Sequence, residues 1–168
     1  MADAPKETLA GRQAVLQGLP DHPAVKALVA WNADALTDAL FDRGELTLTV
    51  PPENIVAAVT AMKDAGYNAF EDMTAVDWLP SEPRFQLSYH ILSHKYKDRI
   101  RIKTWVSSED PAIESITSVW PGANYYEREV FDLFGIRFDG HPNLRRIMMP
   151  EDWVGYPLRK DYPVEGYR

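Results

Sequence analysis

Residues 85–106 read FQLSYHILSHKYKDRIRIKTWV, and the two alternating runs inside this stretch decide the fold class. Phe85, Leu87, Tyr89 and Ile91 alternate with Gln86, Ser88 and His90. After a polar turn, Ile100, Ile102, Thr104 and Val106 alternate with Arg99, Arg101, Lys103 and Trp105. Successive side chains of a strand point to opposite faces, so each run has one apolar and one polar face. Two such neighbours predict an antiparallel pair, packed on one side and wet on the other.

Working outward, Glu45–Val50 alternates with Leu46, Leu48 and Val50 on one face, a third strand. Pro51-Pro52 ends it, and a helix opens at Pro52 or Glu53 with Ile55, Val59 and Met62 as its stripe and Gly66 just past its end. Tyr67–Trp78 returns to period two, with Phe70, Thr74, Val76 and Trp78 on one side, before the turn Leu79–Pro83. Upstream, Asp21 and Pro23 start a helix whose Val25, Leu28, Val29, Leu36 and Leu40 run to about Phe41. Residues 1–20 are a weakly patterned leader with a short helix near Leu9–Leu16. Downstream, Asp110-Pro111 starts a short helix carrying Ile113 and Ile116, and Trp120-Pro121-Gly122 breaks it. A last helix covers Ala123–Phe134 with Tyr126, Val130, Leu133 and Phe134 facing inward, stopped by Gly135. The prediction is a compact α/β (α+β) domain over residues 21–135, a mixed sheet of about four strands with packed helices.

The remainder, residues 136–168, is an extended C-terminal tail. Pro142, Pro150, Pro157 and Pro163 each lack an N–H and bias the preceding residue toward extended backbone, so no long helix or central strand fits. Yet the segment carries Ile136, Phe138, Leu144, Ile147, Met148, Met149, Trp153, Tyr156, Leu158, Tyr162 and Tyr167 among Arg145, Arg146, Arg159 and Lys160. Apolar, aromatic and arginine side chains anchor interfaces, and long loops without secondary structure are usually functional. The segment reads as an arm that takes its shape on a second polypeptide.

Composition narrows the classes. A chain of 168 residues at 45% hydrophobic content builds one domain with an adequate core. Its apolar runs fall short of a membrane span and its start does not read as a secretory signal. It contains no cysteine, which excludes disulfides, cysteine-held iron–sulfur clusters and a cysteine nucleophile. A net charge of −7 argues against nucleic acid as a partner.

Candidate chemistry is sparse. His90 and His94 sit four apart with no carboxylate spaced to complete a metal site, so they read as a solvated strand face and turn. His141 could serve as a general base only if Asp132 or Asp139 oriented it, and a hydrogen-bonded turn histidine is the simpler reading. Glu127, Arg128, Glu129 and Asp132 ride on the last helix, where Glu127 and Glu129 point apart and Arg128 and Asp132 are spaced to pair. Arg159-Lys160-Asp161, held extended by Pro157 and Pro163, reads as an interface triplet. No phosphate-cradling loop or nucleophile-elbow motif occurs.

Three stretches together carry a resemblance. The run Glu127-Arg128-Glu129-Val130-Phe131-Asp132-Leu133-Phe134-Gly135-Ile136, then His141-Pro142-Asn143-Leu144-Arg145-Arg146-Ile147, then Gly155-Tyr156-Pro157-Leu158-Arg159-Lys160-Asp161 resemble, in order, the signatures of the 30 kDa-type (C-type) subunit of respiratory complex I. Many members of that family have histidine where Tyr156 stands and others an aromatic, so tyrosine here reads as a tolerated variant, which tells against an essential proton transfer at this position. The resemblance implies a non-redox structural and assembly subunit in the hydrophilic arm of a proton-translocating NADH:quinone oxidoreductase. It implies no catalytic residue, cofactor or metal in this chain, with FMN and the iron–sulfur clusters in partner subunits. It implies a tail docked on the D-type, hydrogenase large-subunit-like chain near the quinone site, with the B- and I-type chains as further neighbours, no nucleic acid and no membrane span. The expected place is the cytoplasmic side of a bacterial inner membrane, as a peripheral component. Alternatives are the equivalent component of a ferredoxin-dependent quinone reductase or a membrane-bound hydrogenase, a free-standing hydrolase built on His141, or an unrelated adaptor.

Overall fold

The computed structural model describes residues 8–166; the first seven residues of the leader, and Tyr167 of the tail, lie outside them. The chain forms β1 (Leu9–Ala10), α1 (Arg12–Gly18), α2 (Pro23–Asn32), β2 (Asp38–Asp42), β3 (Glu45–Thr49), α3 (Ile55–Asp64), β4 (Ala69–Asp77), β5 (Phe85–Ser93), β6 (Asp98–Val106), β7 (Ala112–Glu114), α4 (Ala123–Phe134) and β8 (Arg137–Asp139). The main sheet has the order β1-β2-β3-β6-β5-β4, and β7 and β8 form a separate parallel pair. Only β3 and β6 run parallel within the main sheet, so it is mixed, as expected. The crossover through α3 carries the chain from β3 to the far edge at β4, leaving room for the β5–β6 hairpin between them.

The sheet has six strands rather than about four. The difference lies at the N-terminal side, where the helix predicted to reach Phe41 ends at Asn32. The Asn32 carboxamide accepts the Asp34 N–H at 3.0 Å, a local bond that competes with helix continuation. Leu36 and Leu40 fit a helical spacing only by coincidence. Ala39 and Phe41 are buried while Leu40 between them is exposed, the period of a strand. Asp42 and Glu45 pair across a two-residue turn, Arg43-Gly44, with φ of 51° and 82°. Positive φ at both central residues matches the twist of a tight hairpin, and Gly44 is the one sequence sign of it. The leader packs too: Val15 of α1 is fully buried, and Leu9 pairs with Phe41.

Two other predictions change. Ala112–Glu114 is a strand, not the start of a helix, because Ile113 pairs with Phe138 of β8 and both are buried. The core therefore continues to Asp139, four residues into the segment read as tail, and Ile136 is also fully buried. In β4 the apolar alternation named the wrong face. A register shift between Phe70 and Asp72 reverses the parity, so Met73, Ala75 and Asp77 face the core while Thr74 and Val76 face out. α3 follows its expected stripe and closes with Gly66 at φ 102°, its N–H on the Lys63 carbonyl and the Tyr67 N–H on the Met62 carbonyl. α4 has the predicted bounds, and its C-terminal end is where the tail returns.

Candidate functional site

Every α-helix leaves its last four carbonyls without helical partners. In α4 all four are taken. Phe131 O accepts from Gly135 N at 2.9 Å, Asp132 O from Arg146 Nη1 at 2.9 Å, Leu133 O from Leu158 N at 3.1 Å and Phe134 O from Arg159 Nε at 2.6 Å. Three of these donors come from the tail. Two are guanidinium groups set against the negative end of the helix dipole, where cations are favoured. The tail, expected to take its shape on a second polypeptide, instead takes it on its own domain, as a strap laid over the C-terminus of α4, because the open carbonyls of that helix and the Asp132 carboxylate supply its acceptors.

The strap has two carboxylate anchors. Asp132, fully buried, accepts three successive backbone N–H groups at one oxygen: Ile147 at 2.9 Å, Met148 at 2.7 Å and Met149 at 2.8 Å. Its other oxygen takes Arg146 Nη1 at 2.6 Å, and Arg146 Nη2 continues to the carbonyls of Trp153 and Gly155, both at 3.0 Å. Burial works to raise the Asp132 pKa, but these donors outweigh it and hold the group below the usual carboxylate range. The second anchor is Asp77, at the end of β4. It accepts Leu79 N at 2.9 Å, Lys160 N at 2.8 Å, and Arg84 through Nε at 2.9 Å and Nη2 at 2.7 Å. Arg84, itself buried, also holds Asp161 at 2.7 and 3.0 Å. Here too burial opposes ionisation and the donors prevail, so Asp77 stays charged well below its ordinary value.

Aromatic packing fills the space between the anchors. The Arg159 guanidinium lies 5.1 Å from the Phe85 ring centre and 4.6 Å from that of Tyr156, and Arg146 lies 5.4 Å from Tyr156 on its own side. Gly135 is required beneath them. Its φ is 71°, and a Cβ there would stand 2.5 Å from the Tyr156 ring and 2.8 Å from Arg159 Nη2.

The remaining candidates fall into place. Arg128 does not pair with Asp132, which is taken by the strap; it donates to the carbonyls of Arg145 and Arg146, both at 3.2 Å. Glu127 is fully buried and accepts Ser115 Oγ at 2.6 Å and Ile116 N at 2.7 Å. Burial without a cation partner pushes its pKa up to about 7. His141 accepts the Asn143 N–H at Nδ1 and donates from Nε2 to the Asn124 carbonyl at 3.2 Å, so both nitrogens are spent on backbone and neither Asp132 nor Asp139 orients it. Burial leads in holding this imidazole neutral. Pro157 is half-buried, whereas the side chains of Glu129 and Arg145 are exposed and join no hydrogen bond among the described residues. Asp77, Arg84 and Ser115 escaped the sequence reading, since nothing in residue spacing ties residue 77 to residue 160.

The strap's outer surface remains apolar. Met148, Val154 and Leu158 are 64%, 66% and 52% exposed, and Ile147, Trp153 and Val164 also face out. Among the described residues no group of three or more acidic, histidine or cysteine side chains is disposed to hold a metal ion. No helix among them is long and apolar enough to cross a membrane.

Residues 48–168 match the family described as respiratory-chain NADH dehydrogenase, 30 Kd subunit. The C-type subunit of the NADH-quinone oxidoreductase of Citrifermentans bemidjiense is 50% identical over 87% of this chain and 91% of that protein. The protein of the same name from Roseiflexus castenholzii is 49% identical over 86% of this chain and 85% of its own. Among solved structures, the trypsin-resistant fragment (1–134) of Nqo5 superposes with a TM-score of 0.65 at 30% identity, over 73% of this chain and 100% of that one. A chain of the membrane-bound sulfane sulfur reductase, an archaeal respiratory membrane complex, gives 0.66 at 26% identity over 83% of this chain and 82% of that one.

Proposed function

The chain belongs to the 30 kDa subunit family of respiratory-chain NADH dehydrogenase, and from that premise we propose that it is a non-redox structural and assembly subunit of a proton-translocating NADH:quinone oxidoreductase. Its strap docks on the D-type neighbour near the quinone site, with B- and I-type chains alongside. The chain sits peripherally on the cytoplasmic side of the inner membrane, while FMN and the iron–sulfur clusters belong to partner subunits.

The single observation that carries the reading is the two-sided strap. Its polar side is consumed by α4, Asp77 and Arg84, and its outer side leaves Met148, Val154 and Leu158 exposed. Fixing such a segment in advance removes the ordering cost that an unstructured arm has when it binds. A free-standing hydrolase has less support, because both nitrogens of His141 are held by backbone groups. The likeness to the sulfane sulfur reductase chain favours one second reading, the equivalent component of a complex with another electron donor or acceptor.

The test is affinity purification of the tagged chain under mild detergent, with bound chains identified and NADH:quinone activity measured. Recovery of a hydrogenase large-subunit-like chain, lost with Leu158→Asp and Val164→Asp together, supports the docking. Recovery of that chain undiminished by both substitutions overturns it. A flavin-binding NADH subunit in the complex decides between the two donor readings.

A further inference from the structure

The open face of the sheet changes character along its strands. Register places Asp72, His90 and Arg101 in one row across β4, β5 and β6. These side chains satisfy one another: His90 Nδ1 meets Asp72 at 2.5 Å, Arg101 Nε meets His90 Nε2 at 2.8 Å, and Arg101 Nη2 reaches Glu45 at 2.5 Å. This half of the face needs nothing from outside, and Arg101 is half-buried there rather than freely solvated.

The other half is unsatisfied. Val76, Gln86 and Trp105 share a row, and Trp78 lies just beyond β4 with its ring centre 6.1 Å from that of Trp105. Trp78 is 45% exposed and Val76 41%. Between this patch and the ionic ladder stands Lys103, in register with Ser88. Among the described residues no carboxylate pairs with it, and burial with the neighbouring Arg101 charge pulls its pKa down. A partly buried cation beside a cation, next to one exposed and one half-buried tryptophan, is costly unless something supplies an anion and covers the rings. Trp, Arg and Tyr at a patch of this kind are what energetic anchors of interfaces use.

Continuity identifies the occupant. Trp78 is flanked by Asp77 and Leu79, the groups that hold the strap through Lys160 N at 2.8 Å and Lys160 Nζ at 3.4 Å. Leu158 and Val164, on either side of that anchor in the strap, are exposed as well. The strap's anchor and the tryptophan patch therefore meet at the same end of β4. We propose that Val76, Trp78, Trp105 and Lys103 form a second contact surface, covered by the same neighbouring polypeptide that receives the strap, through an apolar segment carrying a carboxylate opposite Lys103. This rests on the docking reading above, and extends it to a face that the strap does not touch.

The experiment compares hydroxyl-radical oxidation of Trp78 and Trp105, read by mass spectrometry, in the isolated chain and in the detergent-purified complex. Oxidation of both slows about tenfold or more in the complex if a partner buries them. An unchanged rate overturns the inference. Trp78→Ala with Trp105→Ala, and separately Lys103→Glu, lower recovery of the neighbouring polypeptide by a similar factor. If these variants keep the neighbour while Leu158→Asp with Val164→Asp lose it, the sheet surface is refuted and the strap reading stands. If the strap variants keep the neighbour while the tryptophans are protected, the strap reading fails and the sheet surface is itself the interface. The wild-type oxidation rates decide the matter even if a variant fails to fold.

Discussion

Arg84 and Asp161, 77 residues apart in sequence, meet in a two-pronged ion pair at 2.7 and 3.0 Å. The two ends of that pair are not equivalent. Asp161 is half exposed, whereas Arg84 on its inner side grips Asp77, whose side chain is 2% exposed. Removing an exposed partner costs little, and removing the counter-ion of a buried charge costs about 3–5 kcal/mol. Asp161→Asn should therefore lower the stability of the isolated chain by about 1 kcal/mol or less, and Arg84→Ala by about 3–5 kcal/mol, in urea unfolding. Equal losses contradict this ranking.

Gly135 ends α4 in the left-handed region, under Tyr156 and Arg159. Gly135→Ala forces a Cβ into both the backbone strain and the ring contact. The expected loss is about 1–3 kcal/mol, from the left-handed conformation and the displaced strap together. Gly44→Ala, at φ 82° but with open space around its Cβ position, carries only the backbone part. Thermal unfolding of the two variants separates the strap contribution.

Periodicity made the β5–β6 hairpin and α4 legible as elements, although β5 also buries Gln86 and Ser88 and α4 also buries Glu127 and Asp132, polar residues that an apolar spacing passes over. It failed at Leu36–Phe41, where a helical spacing and a short strand share the same apolar residues, and a local Asn32 bond decided between them. It failed at β4 because a bulge is not a property of composition. The signature residues Asp132, Arg146 and Arg159 were legible as important, but not as partners of one another. Their geometry depends on Asp77 and Arg84, brought close only by the finished sheet. The internal partners of the segment after Gly135 are not legible from spacing, because its hydrogen-bond acceptors are the capping carbonyls and Asp132 carboxylate of α4 and the Asp77 carboxylate, 83 residues before Lys160.

Glu127 gives the native state an unusual pH slope. Its pKa is 4.5 in ordinary surroundings and about 7 when buried here. Between those values the folded chain holds a proton that the unfolded chain releases. Stability then falls as pH rises from about 4.5 to about 7 and levels off above, by about 3 kcal/mol in all. Glu127→Gln keeps an acceptor for Ser115 and Ile116 but cannot titrate. Urea midpoints measured across this window should slope downward in the parent chain and flatten in the variant.

The strap anchors titrate with the opposite sign. Asp77, Asp132 and Asp161 are all held below their ordinary value of 3.8, so the stability they confer is present above that value and is lost as pH falls below it. Because the chain contains no cysteine, Val164→Cys accepts a single fluorophore at an exposed position of the strap. Its anisotropy should drop below about pH 4, before the secondary structure is lost. Asp77→Asn should show the mobile signal already at neutral pH.

A chain ending at Gly140 keeps β8 and the whole sheet, and loses the strap. In that chain Asp132 sits uncovered at the C-terminal end of α4, where a negative charge opposes the helix dipole. In the full chain the same carboxylate is fully buried and collects three N–H groups and a guanidinium. Asp132→Asn should thus change sign between the two backgrounds. It should destabilise the full chain by about 3 kcal/mol or more and leave the shortened chain unchanged or slightly more stable, by a few tenths of a kcal/mol, roughly. Urea unfolding of the four proteins gives the coupling directly. A destabilisation of the same size in both backgrounds would mean that Asp132 serves the core of the domain, and that the strap is held elsewhere.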